Sequence, residues 1–162
     1  MNTFPRPLLS AAIAISTVSA LFAASLLAAP PAKPALMIEA PWTRATPPQA
    51  PVAGGFLTIR NNGRRADHLL SATSPDAERV EIHEMRMDGD MMRMRRLDDG
   101  LAIAPNATLE LKPGGYHLMF IKPTHPFVAG ETVTATLRFE HGGMREVRFE
   151  VRPLGSGAPP KR

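Results

Sequence analysis

Between Leu36 and Val151 no stretch of useful length keeps a 3.6-residue apolar period; the chain runs in short alternating segments cut by Gly, Pro, Asn and Asp. Such a pattern cannot lay a continuous apolar stripe along a helix, but it suits strands, whose side chains alternate between two faces. The segments that read as strands are Leu36–Ala40, Gly55–Arg60, His68–Ala72, Val80–Met87, Met91–Arg96, Thr108–Leu111, His117–Ile121, Thr132–Phe139 and Glu146–Val151. Turn signals separate several of them, at Asn61-Asn62-Gly63, Asp88-Gly89-Asp90, Asp98-Asp99-Gly100, Pro113-Gly114-Gly115 and His141-Gly142-Gly143. The alternation is clearest in Thr132–Phe139, where Val133, Ala135, Leu137 and Phe139 share a face. Many short strands at this spacing predict an all-β sandwich or barrel in a single domain.

The two ends of the chain read differently. Arg6 precedes an uncharged run rich in Ala, Leu and Ser from Leu8 to Ala29, and small residues follow at Ala28, Ala29 and Ala32. Residues 1–31 are read as a secretory signal peptide, which implies export to the periplasm and no membrane insertion after cleavage. The alternative is an uncleaved anchor, since the run is about as long as a membrane span. From Ala32 onward roughly 130 residues remain, enough for one domain that buries about two thirds of the surface its unfolded chain exposes. The domain is placed at residues 32–152, and residues 153–162, polar and rich in Pro and Gly, are read as a disordered tail.

Charge and composition then remove several classes of function. Leaving Arg6 out of the 19 basic residues leaves 18 against 15 acidic ones, a net charge of about +3. The arginines are scattered and not interleaved with aromatics, so no nucleic-acid footprint is expected. The run Arg93, Arg95 and Arg96 is a solvated strand edge or a docking surface for an acidic partner. The sequence contains no cysteine. That excludes a disulfide scaffold, a zinc ribbon, a thioredoxin-like centre and a blue-copper site, each of which needs thiols. No Ser-His-Asp arrangement, carboxylate pair or phosphate loop is recognisable, so the chain is not read as an enzyme. A copper oxygenase that binds metal through an N-terminal His does not fit, because the first histidine is His68.

Chemistry concentrates in two places. Of nine methionines, five fall at Met85, Met87, Met91, Met92 and Met94, just after His83; a second His-x-Met follows at His117 and Met119. Alternation puts His83 with Met85, and His117 with Met119, on common strand faces, while the Asp88-Gly89-Asp90 turn folds Met91–Met94 back against them. Thioether sulfur is soft and uncharged and imidazole is borderline, a pairing that suits Cu(I) better than hard divalent ions. The expected ligands are His83, Met94, His117 and Met119, with Met85 and Met92 in reserve. A Met-rich hairpin can also be a soft core or an adaptable partner surface, and a strand histidine can be a satisfied core residue. His68 is read as a strand-edge residue. His125 and His141 are read as loop residues able to bind Cu(II) adventitiously, and Trp42 as core in preference to a neighbour of the metal.

The spacing of these residues resembles the periplasmic copper chaperone family PCuAC. Its signature is a His with Met nearby, ten residues, a Met, about twenty-one residues, then His-x-Met; here ten residues separate His83 from Met94 and twenty-two separate Met94 from His117. The segments Ala40–Pro48, Leu57–Asn61 and Leu111–His117 are similar as well. The resemblance implies a cupredoxin-like Greek-key β-sandwich or barrel that binds Cu(I) through His83, Met94, His117 and Met119. It further implies copper supply to the CuA centre of cytochrome c oxidase, directly to that subunit or with a thiol-bearing, Sco-like assembly protein, by a protein expected to be monomeric. Some relatives carry a His/Met-rich C-terminal extension, but Leu154–Arg162 has neither residue, so one strong site is expected.

Overall fold

The computed structural model describes residues 35–157, and the expected signal peptide lies outside them. Ten strands follow one another and no helix occurs among the described residues: β1 (Leu36–Arg44), β2 (Val52–Asn61), β3 (Asp67–Thr73), β4 (Ala77–Asp88), β5 (Met91–Arg96), β6 (Leu101–Ile103), β7 (Thr108–Leu111), β8 (Tyr116–Pro123), β9 (Thr132–Phe139) and β10 (Gly143–Arg152). The order β4-β8-β2-β1-β10-β9-β3 returns to β4 through the pair Ala72↔Val80, which closes a seven-stranded barrel. Closure removes most free edges. β5, β6 and β7 attach outside the ring to β4, β3 and β2. Most neighbours are antiparallel, but β1 and β10 run parallel, with Trp42 beside Glu150. The expected all-β barrel is what the chain forms.

Alternation decides which side chains reach the interior. Leu118 and Phe120 on β8, Ile82 on β4 and Ala53, Leu57 and Ile59 on β2 all belong to one buried core, together with Leu137, Phe139 and Phe149. Phe120 meets Phe127 and Phe149 edge-on, with centroids 5.7 Å apart in both pairs, the geometry aromatic quadrupoles favour. Gly55 makes this possible, because a Cβ there would stand 2.6 Å from the Phe120 ring. The intervening residues of the same strands, His117, Met119, Phe56 and His83, therefore leave on the opposite face.

Three local features differ from the sequence reading. β6 was not expected, because a three-residue Leu-Ala-Ile run carries too little pattern; it is held by pairing with β3. Trp42 is not core: it packs on Phe56 at 4.6 Å, outside the main cluster. Part of the segment read as a disordered tail is held in place: Arg44 Nε donates to the Ser156 carbonyl at 2.8 Å and Gly157 lies against Trp42, while the rest of that segment lies outside the described residues.

Candidate metal centre

The site is assembled from three adjacent strands. β4 and β8 pair so that His83 stands opposite His117 and Glu81 opposite Met119. β5 returns from β4 through Gly89-Asp90, a two-residue turn with Gly89 at φ 61°, and left-handed backbone at the first turn position is what glycine supplies in such hairpins. The register that results sets Met94 opposite Met85 and Arg96 opposite His83. Met94 is thus diagonal to His83 across β4 and β5, within reach of a long side chain. On the other flank β2 brings Gly54 opposite Met119.

Together these strands line a cleft of about 520 Å³ whose walls include Phe56, Met85, Met92, Met94, His117 and Met119. Three of the four expected ligands thus share one concavity. The fourth, His83, is beside it, its ring centroid 5.8 Å from that of His117. His117 and Met119 are buried at 5% and 8% exposure, whereas Met94 is 49% exposed. One side of the cleft is therefore fixed by packing and the other, on the edge strand, is open to solvent. Phe56, 6.5 Å from the His117 ring, forms the apolar wall, with Trp42 behind it.

The hydrogen bonds of both histidines leave one ring nitrogen free. His117 Nδ1 is 3.0 Å from the Gly115 carbonyl oxygen, which can only accept, so Nδ1 carries the proton and Nε2 the lone pair. His83 Nε2 donates to the Glu81 carboxylate at 2.9 Å, which leaves the lone pair of the neutral ring on Nδ1. That Nδ1 is the one buried side-chain nitrogen or oxygen among the described residues with no hydrogen-bond partner. Buried polar atoms are normally satisfied, so this one has the character of a donor awaiting an electrophile. Burial pushes the His117 imidazole below its ordinary pKa, and His83 nearby acts in the same direction, against the bond to Gly115.

Glu81 was not picked out from the sequence, although it sits two residues before His83 and so shares its face. It accepts from Arg79 Nε at 2.8 Å and from Arg96 Nη1 at 3.2 Å as well as from His83. The Arg79 bond, then the His83 bond, hold its carboxyl at about 2. A carboxylate clamped by two guanidinium groups fixes both the tautomer and the orientation of His83. Outer partners of this kind are typically worth about 10–100-fold in metal affinity. Glu81→Gln should weaken Cu(I) binding in that range, measured by chelator competition, because a neutral amide attracts neither arginine strongly. Unchanged affinity would mean that His83 is not oriented by this contact.

The donor set fits a soft ion. Among the described residues no group of three or more His, Cys, Asp or Glu side chains is placed to hold a metal, so zinc-type or carboxylate sites are not formed there. Two imidazole nitrogens with thioethers beside them are what these strands offer. The other histidines lie elsewhere: His68 pairs with Ala102 on β6, the His125 ring lies tilted beside Phe127, and His141 donates its backbone N–H to Asp67.

Comparison with known proteins identifies the family and the fold. The family described as "Putative lipoprotein LpqE-like" matches residues 36–151, which span all ten strands except Arg152, the last residue of β10. The chain belongs to the LpqE-like family. Among relatives of this LpqE-like chain, a protein of Leifsonia xyli subsp. xyli named "Putative lipoprotein Lxx21020" is 29% identical over 123 residues, covering 76% of this chain and 72% of its own length. Solved structures share the fold. The Cu(I) form of DR1885 from Deinococcus radiodurans is 26% identical with a TM-score of 0.60, covering 74% of this chain and 79% of that one. The copper-bound PCuAC domain from PmoF2 is 24% identical with a TM-score of 0.62, covering 74% and 93%. The LpqE-like barrel is thus a PCuAC-type, cupredoxin-like fold.

Proposed function

We propose that this chain is a periplasmic copper carrier that holds one Cu(I) ion through His83, Met94, His117 and Met119. The observation that carries the reading is the pairing of His83 with His117 across β4 and β8, each with one free ring nitrogen, beside a thioether-lined cleft. The copper-bound state of two solved structures with this fold supports the choice of metal. A carrier must hold its cargo against competitors and still release it. Neutral thioethers bind Cu(I) without the grip of several thiolates, and Met94 on an exposed edge strand leaves a side from which an acceptor's ligands can approach.

The acceptor we infer is the CuA centre of cytochrome c oxidase, reached directly or through a thiol-bearing, Sco-like assembly protein. The reading is of a carrier, because the cleft gathers soft, uncharged donors suited to holding a cargo ion. Transfer tests it. Chain loaded anaerobically with one equivalent of Cu(I) should pass the metal to an apo CuA fragment, or to a dithiol assembly protein and then to that fragment, with the CuA absorption appearing after oxidation. Metal that stays on the carrier in both arrangements would rule out delivery to this centre while leaving copper binding intact.

A further inference from the structure

The carrier site leaves most of the methionine cluster unused. In the β4–β5 hairpin Met85 stands opposite Met94 and Met87 opposite Met92, so these four side chains share one face of a two-stranded ribbon. The other face, Met91 apart, is ionic: Arg95 pairs with Glu84 at 2.9 Å and Arg93 with Asp88 at 2.7 Å. Such a division usually marks an apolar face packed on a core, but Met87 and Met92 are 60% and 62% exposed. A ribbon that needed only strand character would use Val, Ile or Thr, which suit strands better. Exposed apolar side chains in a row also carry an association risk that calls for a reason.

Thioether chemistry supplies one. Directly opposed strand residues hold their Cβ atoms about 4.5–5.5 Å apart, and methionine has three rotatable bonds through which its sulfur can adjust. Met85, Met87 and Met92 are therefore three uncharged soft donors able to converge above the ribbon, with no carboxylate or imidazole on that face between them. We propose that Met85, Met87 and Met92 form a second, thioether-only site for a soft monovalent ion, weaker than the carrier site and open to solvent at the hairpin's free end. Without imidazole the set favours Cu(I) and Ag(I) over Zn(II) and Cu(II). The site stands on the hairpin register alone; only its use as a collecting point for the same cargo rests on the carrier reading.

The test uses Ag(I), a redox-inert probe of the same softness, titrated into the full chain with methyl-labelled methionine and followed by NMR. The first equivalent should shift the methyls of Met94 and Met119, with smaller shifts at Met85 and Met92 because they line the same cleft; the second should shift Met87 and move Met85 and Met92 further. Met87→Leu should lose the response to the second equivalent and keep that to the first, since leucine preserves the apolar face but not the donor. His117→Ala should do the reverse. A second equivalent that survives Met87→Leu unchanged, or methyls of Met87 and Met92 that stay still in excess Ag(I), would overturn the proposal. A first equivalent that never shifts the methyls of Met94 and Met119 would instead count against the carrier site, so the two failures are separable.

Discussion

Met119→Leu and Met94→Leu should each lower Cu(I) affinity by at least about 10–100-fold, the range that loss of a mere outer partner already produces, while the barrel stays folded. Leucine nearly conserves methionine's volume, and such exchanges usually cost less than about 1.5 kcal/mol even in a core. Met119 is the stricter case. It is 8% exposed, so a shape error would register in stability, yet it lies outside the main core and faces the cleft. Met94 is 49% exposed, so its replacement should hardly touch stability at all. What both variants lose is the soft donor. Chelator competition gives the affinity, and thermal melts of the apo protein give the control. A variant that kept wild-type affinity would remove that methionine from the site, and variants that unfolded would show the sulfur-bearing side chains to be structural.

The residues that announced the candidate site in the sequence are those whose chemistry is rare. Two His-x-Met units and a turn between them were enough to place His83 beside His117 and to fold Met94 back, because strand alternation and a two-residue turn leave little freedom in register. Residues that act through position were harder to see. Glu81 reads as an ordinary strand glutamate until Arg79 and Arg96 are found on either side of it, and Arg96 arrives only through the β4–β5 register. Asn61 reads as a turn residue. In the fold it is 2% exposed, and its amide donates to the carbonyls of Arg65, Ile103 and Ala104, tying β2 to the chain around β6. Trp42 misled for a related reason: a large aromatic is usually core, but here a second apolar layer with Phe56 covers the outer face behind His117. Neither that layer nor the three-residue β6 leaves a periodic trace, since both exist only through long-range pairing.

The central claim is that two imidazoles, and not thioethers alone, hold the ion, and its most direct test is the pH dependence of Cu(I) affinity. Thioethers do not titrate, whereas imidazole must be deprotonated to bind, and ordinary imidazole has a pKa of about 6.5. Affinity should be flat above about pH 7 and fall below it. Because burial lowers the His117 pKa, its proton competes only at lower pH, so the slope should steepen toward about two decades per pH unit as the second imidazole titrates. The same shift acts on the apo fold. A neutral His117 contributes its full stability above the unfolded value of about 6.5, and that contribution is lost as pH falls through the lowered folded value. Circular dichroism must therefore accompany the titration, to separate loss of metal from loss of structure. Measured between pH 5 and 8, wild type should show this steepening, and His83→Ala and His117→Ala should each bind more weakly with a limiting slope of about one decade per pH unit. Wild-type affinity independent of pH across that range, with the barrel intact, would contradict the account and leave a methionine-only site.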